Sequence, residues 1–120
     1  MGARVLVVDD EADLRFILRR CFDRAGYDVA EAADGAAALR SVHEVRPDLV
    51  VTDLVMPVMG GLELIQRLRA DPVTAAIPII VVSSNWTMAA DADAALAKPY
   101  DAKNVLALAE DLIKDGGDER

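Results

Sequence analysis

The chain contains a short, largely apolar and β-branched run from Leu49 to Thr52 that ends at the carboxylate of Asp53. The run does not alternate between apolar and polar residues, and turn-forming residues flank it on both sides. Such a pattern predicts a strand buried on both faces, as in a parallel sheet. Open α/β sheets place their chemistry at the carboxyl ends of the strands, so Asp53 is the first candidate for a functional residue.

Four other segments have the character of strands. Arg4 to Val8 and Ile77 to Val82 are apolar and rich in β-branched residues, whereas Asp28 to Ala33 is weaker and is expected at the edge of the sheet. Ala94 to Ala97 is assigned as a strand on topology alone, because alanine itself favours helices. The chain is therefore expected to form five strands.

Amphipathic helices are expected between these strands. The first, from Asp13 to Ala25, has apolar residues at three- and four-residue spacing and ends at Gly26. The predicted buried faces are Leu14, Ile17, Leu18, Cys21, Phe22 and Ala25 in the first helix; Ala38, Val42 and Val45 in the second; Leu62, Leu64, Ile65 and Leu68 in the third; and Val105, Ala109 and Leu112 in the last, which Asp101 caps. Right-handed crossovers between parallel strands put helices on both faces of the sheet. The fold class is therefore α/β, a three-layer, doubly wound, five-stranded parallel sheet.

The composition limits the classes of function. A chain of 120 residues with 53% apolar content suffices for one domain, residues 1–120, with a core of its own. Its polar end, residues 115–120, is expected to fray as a tail or to begin a linker. The net charge of -8 argues against direct contact with nucleic acid or an anionic membrane. A single cysteine, and a sequence with neither a membrane-length apolar stretch nor a signal peptide, indicate a cytoplasmic protein.

The predicted strand ends bring five functional side chains to one edge of the sheet: Asp9, Asp10, Asp53, Ser83 and Lys98. Several carboxylates and one lysine form a hard oxygen site suited to Mg²⁺. Aspartate is an established nucleophile for phosphoryl groups; Lys98 would attract one phosphoryl oxygen, and Ser83 would donate a hydrogen bond to another. Considered alone, the acids from Asp9 to Glu11 fit equally well as a solvated turn that caps the following helix.

These motifs together resemble the receiver domain of response regulators in two-component signal transduction. The resemblance rests on Val5 to Glu11, on Asp53 with Met56-Pro57 and a following glycine, on Val82-Ser83, and on Lys98-Pro99-Tyr100. It covers nearly the whole chain, and the ordered combination is specific although each motif alone is weak. It implies a flavodoxin-like fold with strand order 2-1-3-4-5. It also implies Mg²⁺-dependent transfer of a phosphoryl group to Asp53 from a sensor histidine kinase or a histidine phosphotransfer protein.

The resemblance assigns roles to single residues. It implies that four residues hold Mg²⁺: Asp10, Asp53, Val55 through its backbone carbonyl, and Asp9 through a water molecule. Ser83 would shift toward the new phosphate and Lys98 would pair with it, so that a local change of charge alters partner interactions. A cis peptide bond is expected before Pro99.

The chain departs from the family pattern in three places. Fifteen positions separate Ser83 from Lys98. This interval is roughly two helical turns shorter than usual, so the fourth helix is expected to be shortened or missing. Ala95 occupies a position that usually holds an aromatic side chain, and Gly60 replaces a more usual Asp or Asn. The chemistry is expected to remain, whereas the response to phosphorylation is expected in the loop of residues 84–86.

Further interpretations stay open. Phe16 lies on the outer face of the first helix, where it is either a docking point for a partner helix or an ordinary exposed side chain. The domain could also act as an interaction module without phosphorylation. A phosphatase of the haloacid dehalogenase type uses similar side chains, but its Asp-x-Asp pattern after the first strand does not match Asp9-Asp10-Glu11. The chain is expected not to be an enzyme beyond losing its own phosphoryl group, and a homodimer is left open.

Overall fold

The structure is a computed structural model that describes residues 3–84, 92–98 and 100–118, with the backbone alone for 115–118. In chain order the elements are β1 (Arg4–Val8), α1 (Ala12–Arg24), β2 (Asp28–Ala32), α2 (Gly35–Val45), β3 (Leu49–Thr52), α3 (Gly61–Ala70), β4 (Ile79–Ser83), β5 (Ala94–Ala97) and α4 (Ala102–Asp118). All five predicted strands are present, with bounds within two residues of the expected ones. No helix in this part of the chain is both long enough and apolar enough to cross a membrane.

The five strands form one parallel sheet with the order β2-β1-β3-β4-β5. β2 lies at one edge, as its low content of β-branched residues predicts. Helices cover both faces of the sheet, which gives the predicted three-layer, doubly wound arrangement. The flavodoxin-like strand order is confirmed.

Two apolar clusters, one on each face of the sheet, form the core. Successive residues of a strand point to opposite faces, so Val5 and Val7 belong to one cluster while Leu6 and Val8 belong to the other. The first cluster also contains buried residues of α1 and α4, and the second contains buried residues of α2 and α3. Because both faces are buried, the strands have no polar alternation in their sequence.

The apolar faces of α1 and α3 are narrower than the sequence predicts. Leu18 is buried on α1, but Ile17 is 50% exposed and Ala25 is exposed as well. On α3, Leu62 is 38% exposed. Ile17 lies about 100° from Leu18 around the helix axis, at the border of the buried stripe. The prediction of burial is wrong for Ile17, Ala25 and Leu62, because three- and four-residue spacing does not define where a buried stripe ends.

The region from β4 to the end of the chain agrees in part with the expectation. Four helices are described, and none lies among the described residues between β4 and β5, in agreement with a shortened fourth helix. Asn85, Trp86 and Pro99 lie outside the described residues, so the loop response and the cis bond stay predictions. α4 continues through Asp118, into the predicted tail of residues 115–120. The frayed tail or linker start stays a prediction.

A polar cluster fixes the start of β5 beside β4. Oδ2 of Asp93 accepts hydrogen bonds from Nη2 of Arg69 at 2.8 Å and from the backbone N–H of Ile79 at 2.7 Å. The backbone N–H of Asp93 donates in turn to the carbonyl of Ile79 at 2.9 Å. These bonds connect α3, β4 and β5 at the amino edge of the sheet. They stabilise the strand alignment that carries Lys98 to the opposite edge.

Candidate functional site

The strand register brings Asp9 and Asp53 to neighbouring positions at the carboxyl edge of the sheet. Val8 of β1 is paired with Thr52 of β3, and the two aspartates follow directly. The backbone N–H of Asp53 donates to the carbonyl of Val8 at 3.1 Å, so the hydrogen-bond ladder continues one step past the strand. Both acids are buried, Asp9 being 1% and Asp53 6% exposed.

Three carboxylates form a compact cluster at this edge. Asp9, Asp10 and Asp53 each offer an oxygen, and these oxygens lie within 4.8 Å of one another. Asp10 is exposed, in contrast to its two buried neighbours. Oδ1 of Asp9 accepts a hydrogen bond from the backbone N–H of Glu11 at 2.9 Å. Oδ2 of Asp9 is buried and has no hydrogen-bond partner among the described residues.

A buried carboxylate oxygen without a hydrogen-bond partner, beside two further carboxylates, suits a hard divalent cation. Burial raises the pKa of Asp9 above its ordinary value, against the opposing effects of the Glu11 hydrogen bond and the Lys98 charge. The charges of Asp53 and Asp10 raise the pKa of Asp9 further. A cation with oxygen ligands would satisfy the Asp9 oxygen and offset the repulsion. The residues present therefore fit the predicted Mg²⁺.

Lys98, the residue after β5, forms an ion pair with Asp53. Its Nζ donates to Oδ2 of Asp53 at 2.7 Å and lies 3.8 Å from Oδ2 of Asp9. Oδ1 of Asp53 accepts a hydrogen bond from the backbone N–H of Leu54 at 2.6 Å, so both oxygens are held. Burial alone would lower the pKa of Lys98, but the hydrogen bond to Asp53 and the nearby carboxylates raise it above its ordinary value. Lys98 therefore carries a fixed positive charge into the acid cluster.

Ser83 and Val55 lie at the same edge. Ser83 is the last residue of β4, is 2% exposed, and is paired in register with Ala97, directly before Lys98. The carbonyl of Ser83 accepts a hydrogen bond from the backbone N–H of Lys98 at 3.3 Å. The backbone N–H of Val55 lies 3.5 Å from Oδ1 of Asp53. The roles of the Ser83 hydroxyl and the Val55 carbonyl stay predictions.

A tight turn between β3 and α3 holds Asp53 in this position. The backbone N–H of Gly61 donates to the carbonyl of Leu54 at 2.8 Å, and a Cβ on Gly61 would overlap the carbonyl oxygen of Asp53. Val58, in the same turn, has a φ of 67° and is 84% exposed. This left-handed conformation is strained for a β-branched residue. The close approach at Gly61 requires glycine, because any side chain there would displace Asp53.

Phe16 lies on α1 outside the acid cluster. Its side chain is 55% exposed, and the guanidinium of Arg20 lies 5.8 Å from the ring centroid, within the range of a cation–π contact.

Elsewhere on α1, a recess of about 440 Å³ is lined by Leu14, Ile17, Lys98, Tyr100 and Ala102. Burial raises the pKa of Tyr100 to about 12, so its phenol stays protonated at neutral pH. An apolar recess therefore lies directly beside the ion-paired lysine.

One residue outside the predicted set, Arg15, contacts the site, and a second, Glu31, contacts Arg15. Nη1 of Arg15 donates to the backbone carbonyl of Asp9 at 2.7 Å, and Nε of Arg15 donates to Oε1 of Glu31 at 2.9 Å. The sequence carried one signal, since Glu31 is a carboxylate inside a strand segment, where a charged side chain needs a partner. That signal does not identify the partner, because the contact between α1 and β2 is tertiary.

An Asp9→Asn variant is expected to be measurably more stable than the wild type at pH 7 without divalent metal. A raised folded-state pKa means that ionised Asp9 destabilises the fold above that pKa, and asparagine removes the charge. The gain should shrink as the pH falls through this pKa, because the wild-type carboxyl is then protonated too. Urea unfolding in EDTA measures the difference.

The matched control for this measurement is Asp28→Asn. Asp28 is exposed and lies at the amino end of β2, at the opposite edge of the sheet. Its replacement should change the free energy of unfolding by less than about 0.5 kcal/mol. An Asp9→Asn protein less stable than the wild type in EDTA would contradict the interpretation that Asp9 is destabilising when no cation is bound.

Comparison with known proteins relates this geometry to one family. Residues 5–110 match the family model of the response regulator receiver domain. The chain is 38% identical over 121 residues to the transcriptional regulatory protein PrrA of Mycobacterium tuberculosis, covering 95% of this chain and 51% of that protein. It is 34% identical over 126 residues to the DNA-binding response regulator MtrA of the same organism, covering 99% of this chain and 54% of that protein. The chain thus spans about half the length of the curated relatives it matches.

Among solved structures, the chemotaxis response regulator CheY4 of Vibrio cholerae is similar in fold and sequence. The TM-score is 0.85 and the identity 28%, over 93% of this chain and 99% of that chain. All three relatives are named as regulators. The match favours neither the haloacid dehalogenase phosphatase nor a module that works without phosphorylation. The chain therefore belongs to the response-regulator receiver family, whose members accept a phosphoryl group in two-component signalling.

Proposed function

We propose that Asp53 accepts a phosphoryl group from a sensor histidine kinase or a histidine phosphotransfer protein and becomes an aspartyl phosphate. One observation carries the proposal: the Asp53 carboxylate contacts the Lys98 ammonium at 2.7 Å and shares the acid cluster with Asp9. Oδ2 of Asp9 is buried without a hydrogen-bond partner among the described residues. Asp53 thus lies beside one fixed positive charge, the Lys98 ammonium. The neighbouring carboxylates are ligands for a second positive charge, a divalent cation. Two cations allow a carboxylate to approach an anionic phosphoryl group that would otherwise repel it.

In the transfer, a bond forms between a carboxylate oxygen of Asp53 and the phosphorus, while the bond from phosphorus to the histidine nitrogen breaks. The nitrogen retains the electron pair of the broken bond and takes up a proton. Lys98 would move its hydrogen bond from Asp53 to a phosphoryl oxygen, and the Ser83 hydroxyl would donate to another. These two contacts would make the phosphorylated domain differ from the free one.

The residues that would hold Mg²⁺ are Asp10, Asp53, the backbone carbonyl of Val55 and, through water, Asp9. When bound, Mg²⁺ supplies charge neutralisation at the phosphoryl oxygens. Three carboxylates beside one lysine give this edge an excess of negative charge. A divalent cation would remove that excess before an anionic donor arrives.

The phosphoryl donor is proposed to dock over α1. Phe16 is 55% and Ile17 50% exposed, and the recess beside Lys98 is large enough for an apolar side chain from a partner helix. Exposed aromatic and aliphatic side chains of this kind often anchor a protein interface. The net charge of -8 supports a protein partner over a nucleic acid. A homodimer stays a prediction.

The proposal concerns this receiver domain, residues 1–120, and not the full-length proteins to which it is similar. PrrA is named as a transcriptional regulatory protein and MtrA as DNA-binding, and the chain matches 51% and 54% of their lengths.

We infer a cytoplasmic domain, because a single cysteine fits a reducing compartment. Its only turnover would be hydrolysis of its own aspartyl phosphate. A linker beginning near the end of α4 stays a prediction.

Intact-mass analysis with a small acyl-phosphate donor tests the proposal. The wild-type protein is incubated with the donor in Mg²⁺ and, in parallel, in EDTA. We expect a gain of one phosphoryl group in Mg²⁺ and none in EDTA, because the uncompensated carboxylates repel the donor. Folded protein that binds Mg²⁺ but gains no phosphoryl group would contradict the proposal and favour an interaction module. Turnover of a generic phosphate ester would favour a phosphatase.

A further inference from the structure

Arg15 connects the edge strand β2 to the backbone of the acid cluster. Its guanidinium makes two hydrogen bonds in different directions, from Nε to Oε1 of Glu31 at 2.9 Å and from Nη1 to the carbonyl oxygen of Asp9 at 2.7 Å. The Arg15 side chain is 20% exposed, so it is largely removed from solvent. Such a planar fork orients both partners at once, which a single ammonium cannot do.

Glu31 is itself held in place. Its Oε2 accepts a hydrogen bond from Nη1 of Arg19 at 2.7 Å, so the two carboxylate oxygens bind two different arginines. Burial alone would raise the pKa of Glu31, but the hydrogen bonds from Arg19 and Arg15 lower it below its ordinary value. Glu31 is therefore ionised at neutral pH and gives Arg15 a fixed partner.

The peptide group between Asp9 and Asp10 is the element that this fork controls. The carbonyl of that peptide is the acceptor for Arg15, while the N–H of Asp9 donates to the carbonyl of Ala32 at 3.2 Å. Both backbone groups of Asp9 are thus held by β2, directly through Ala32 and indirectly through Glu31. Rotation of this peptide would move the carboxylates of Asp9 and Asp10 relative to Asp53.

We propose that Arg15 is a positioning residue for the divalent cation, and that Glu31 holds it in its working orientation. The inference rests on the proposed function, because it concerns the same cation site. Arg15 does not touch the phosphoryl group or the cation. It fixes the peptide that carries two of the three clustered carboxylates, and so pre-arranges their oxygens for one ion.

The charge of Arg15 allows its positioning role to be distinguished from a purely electrostatic effect on Mg²⁺ binding. A positive charge near the site opposes binding of Mg²⁺, so removing it should strengthen binding if charge alone mattered. Loss of the fixed peptide should weaken binding. The two effects have opposite signs, and the positioning role requires that the second exceed the first.

The test is a Mg²⁺ titration of the unphosphorylated protein by calorimetry, on the wild type and on Arg15→Gln. We expect the dissociation constant for Mg²⁺ to rise about tenfold, as is typical when a partner of a metal ligand is lost. In acyl-phosphate labelling, the Mg²⁺ concentration for half-maximal rate should rise by the same factor. The rate at saturating Mg²⁺ should stay within about twofold of the wild type, because Arg15 does not contact the reacting atoms.

Arg19→Gln is the matched control, since it removes the same charge and the same kind of hydrogen bond to Glu31. The contacts of Arg19 are with Glu31 and Asp23, not with the Asp9 carbonyl. Its dissociation constant for Mg²⁺ should therefore rise clearly less than that of Arg15→Gln, because Arg15 still holds both Glu31 and the Asp9 carbonyl. Equal weakening in both variants would overturn the proposal, as would unchanged or tighter binding in Arg15→Gln.

Arg15→Lys keeps the charge and provides a second variant in case Arg15→Gln fails to fold. Its single ammonium cannot hold Glu31 and the Asp9 carbonyl together, so binding should stay severalfold weaker than in the wild type. Full recovery with lysine would overturn the proposal.

Calorimetry does not require phosphorylation, so a wild type that binds Mg²⁺ but accepts no phosphoryl group refutes the proposed function alone. A wild type that binds no Mg²⁺ refutes the positioning role.

Discussion

An Asp53→Asn protein is expected to gain no phosphoryl group from an acyl-phosphate donor under conditions in which the wild type gains one. The amide has no ionised oxygen to attack phosphorus, and no other carboxylate in the described part of the pocket has the same contacts. Asp9 and Asp10 share the cluster, but the 2.7 Å ion pair with Lys98 is made by Asp53. Intact mass over a time course in Mg²⁺ measures the gain.

The fold is expected to tolerate this replacement. Oδ1 of Asp53 accepts a hydrogen bond from the backbone N–H of Leu54 at 2.6 Å, and an amide oxygen in the same place can accept that bond as well. Loss of one of three clustered negative charges also relieves repulsion. Asp28→Asn is the control for a lost carboxylate elsewhere and should label like the wild type. Labelling of Asp53→Asn at the wild-type rate would exclude Asp53 as the acceptor.

A Lys98→Gln variant is expected to accept phosphoryl groups roughly a hundredfold more slowly than the wild type at saturating Mg²⁺. The ammonium of Lys98 already lies 2.7 Å from Asp53 and is kept charged by the surrounding carboxylates, so it needs little movement to reach a phosphoryl oxygen. A neutral amide would donate a hydrogen bond but carry no charge. The rate of mass gain measures the effect.

Lys103→Gln provides the matched control, because it removes the same charge from an exposed position in the first turn of α4. Its rate should equal that of the wild type. Binding of Mg²⁺ by Lys98→Gln should be no weaker than in the wild type, since Lys98 is a competing cation in the same pocket. A Lys98→Gln rate within about threefold of the wild type would contradict the assigned role.

The sheet and the edge that carries the site could be predicted because both depend on local patterns. Runs such as Val5 to Val8 and Leu49 to Thr52 lack polar alternation since each is buried on both faces. In a parallel sheet the residues that follow such runs lie at one edge, so local patterns place Asp9 and Asp53 at the same edge. The adjacency of their strands was implied only by the resemblance to the receiver domain, and the β1–β3 pairing confirms it. The assignment of Ala94 to Ala97 depended on topology, and it is confirmed.

The limits of helix burial could not be predicted from spacing. Ile17 and Leu62 satisfy the three- and four-residue rule, but each lies at the border of its stripe and is exposed. Which side of a stripe is covered depends on the neighbouring helix, which is a tertiary property. For the same reason the sequence does not distinguish the burial of Asp9 from that of Asp10, although the first is buried and the second exposed.

The fork made by Arg15 could not be predicted from the sequence either. Arg15 and Glu31 are sixteen positions apart, and their contact depends on how α1 packs against β2. A charged residue in each segment is common on protein surfaces and indicates no particular pair. The structure distinguishes this pair because the same guanidinium also binds the carbonyl of Asp9.

Locating the phosphoryl group on the chain is the most direct test of the central claim. The wild-type protein is labelled with an acyl-phosphate donor in Mg²⁺, the aspartyl phosphate is reduced with borohydride, and the peptides are mapped by mass spectrometry. Reduction converts the modified aspartate to homoserine, which marks its position permanently. We predict homoserine at position 53 and at no other aspartate. Homoserine at position 9 or 10, or a phosphoryl group on a hydroxyl side chain with position 53 unmodified, would contradict the claim.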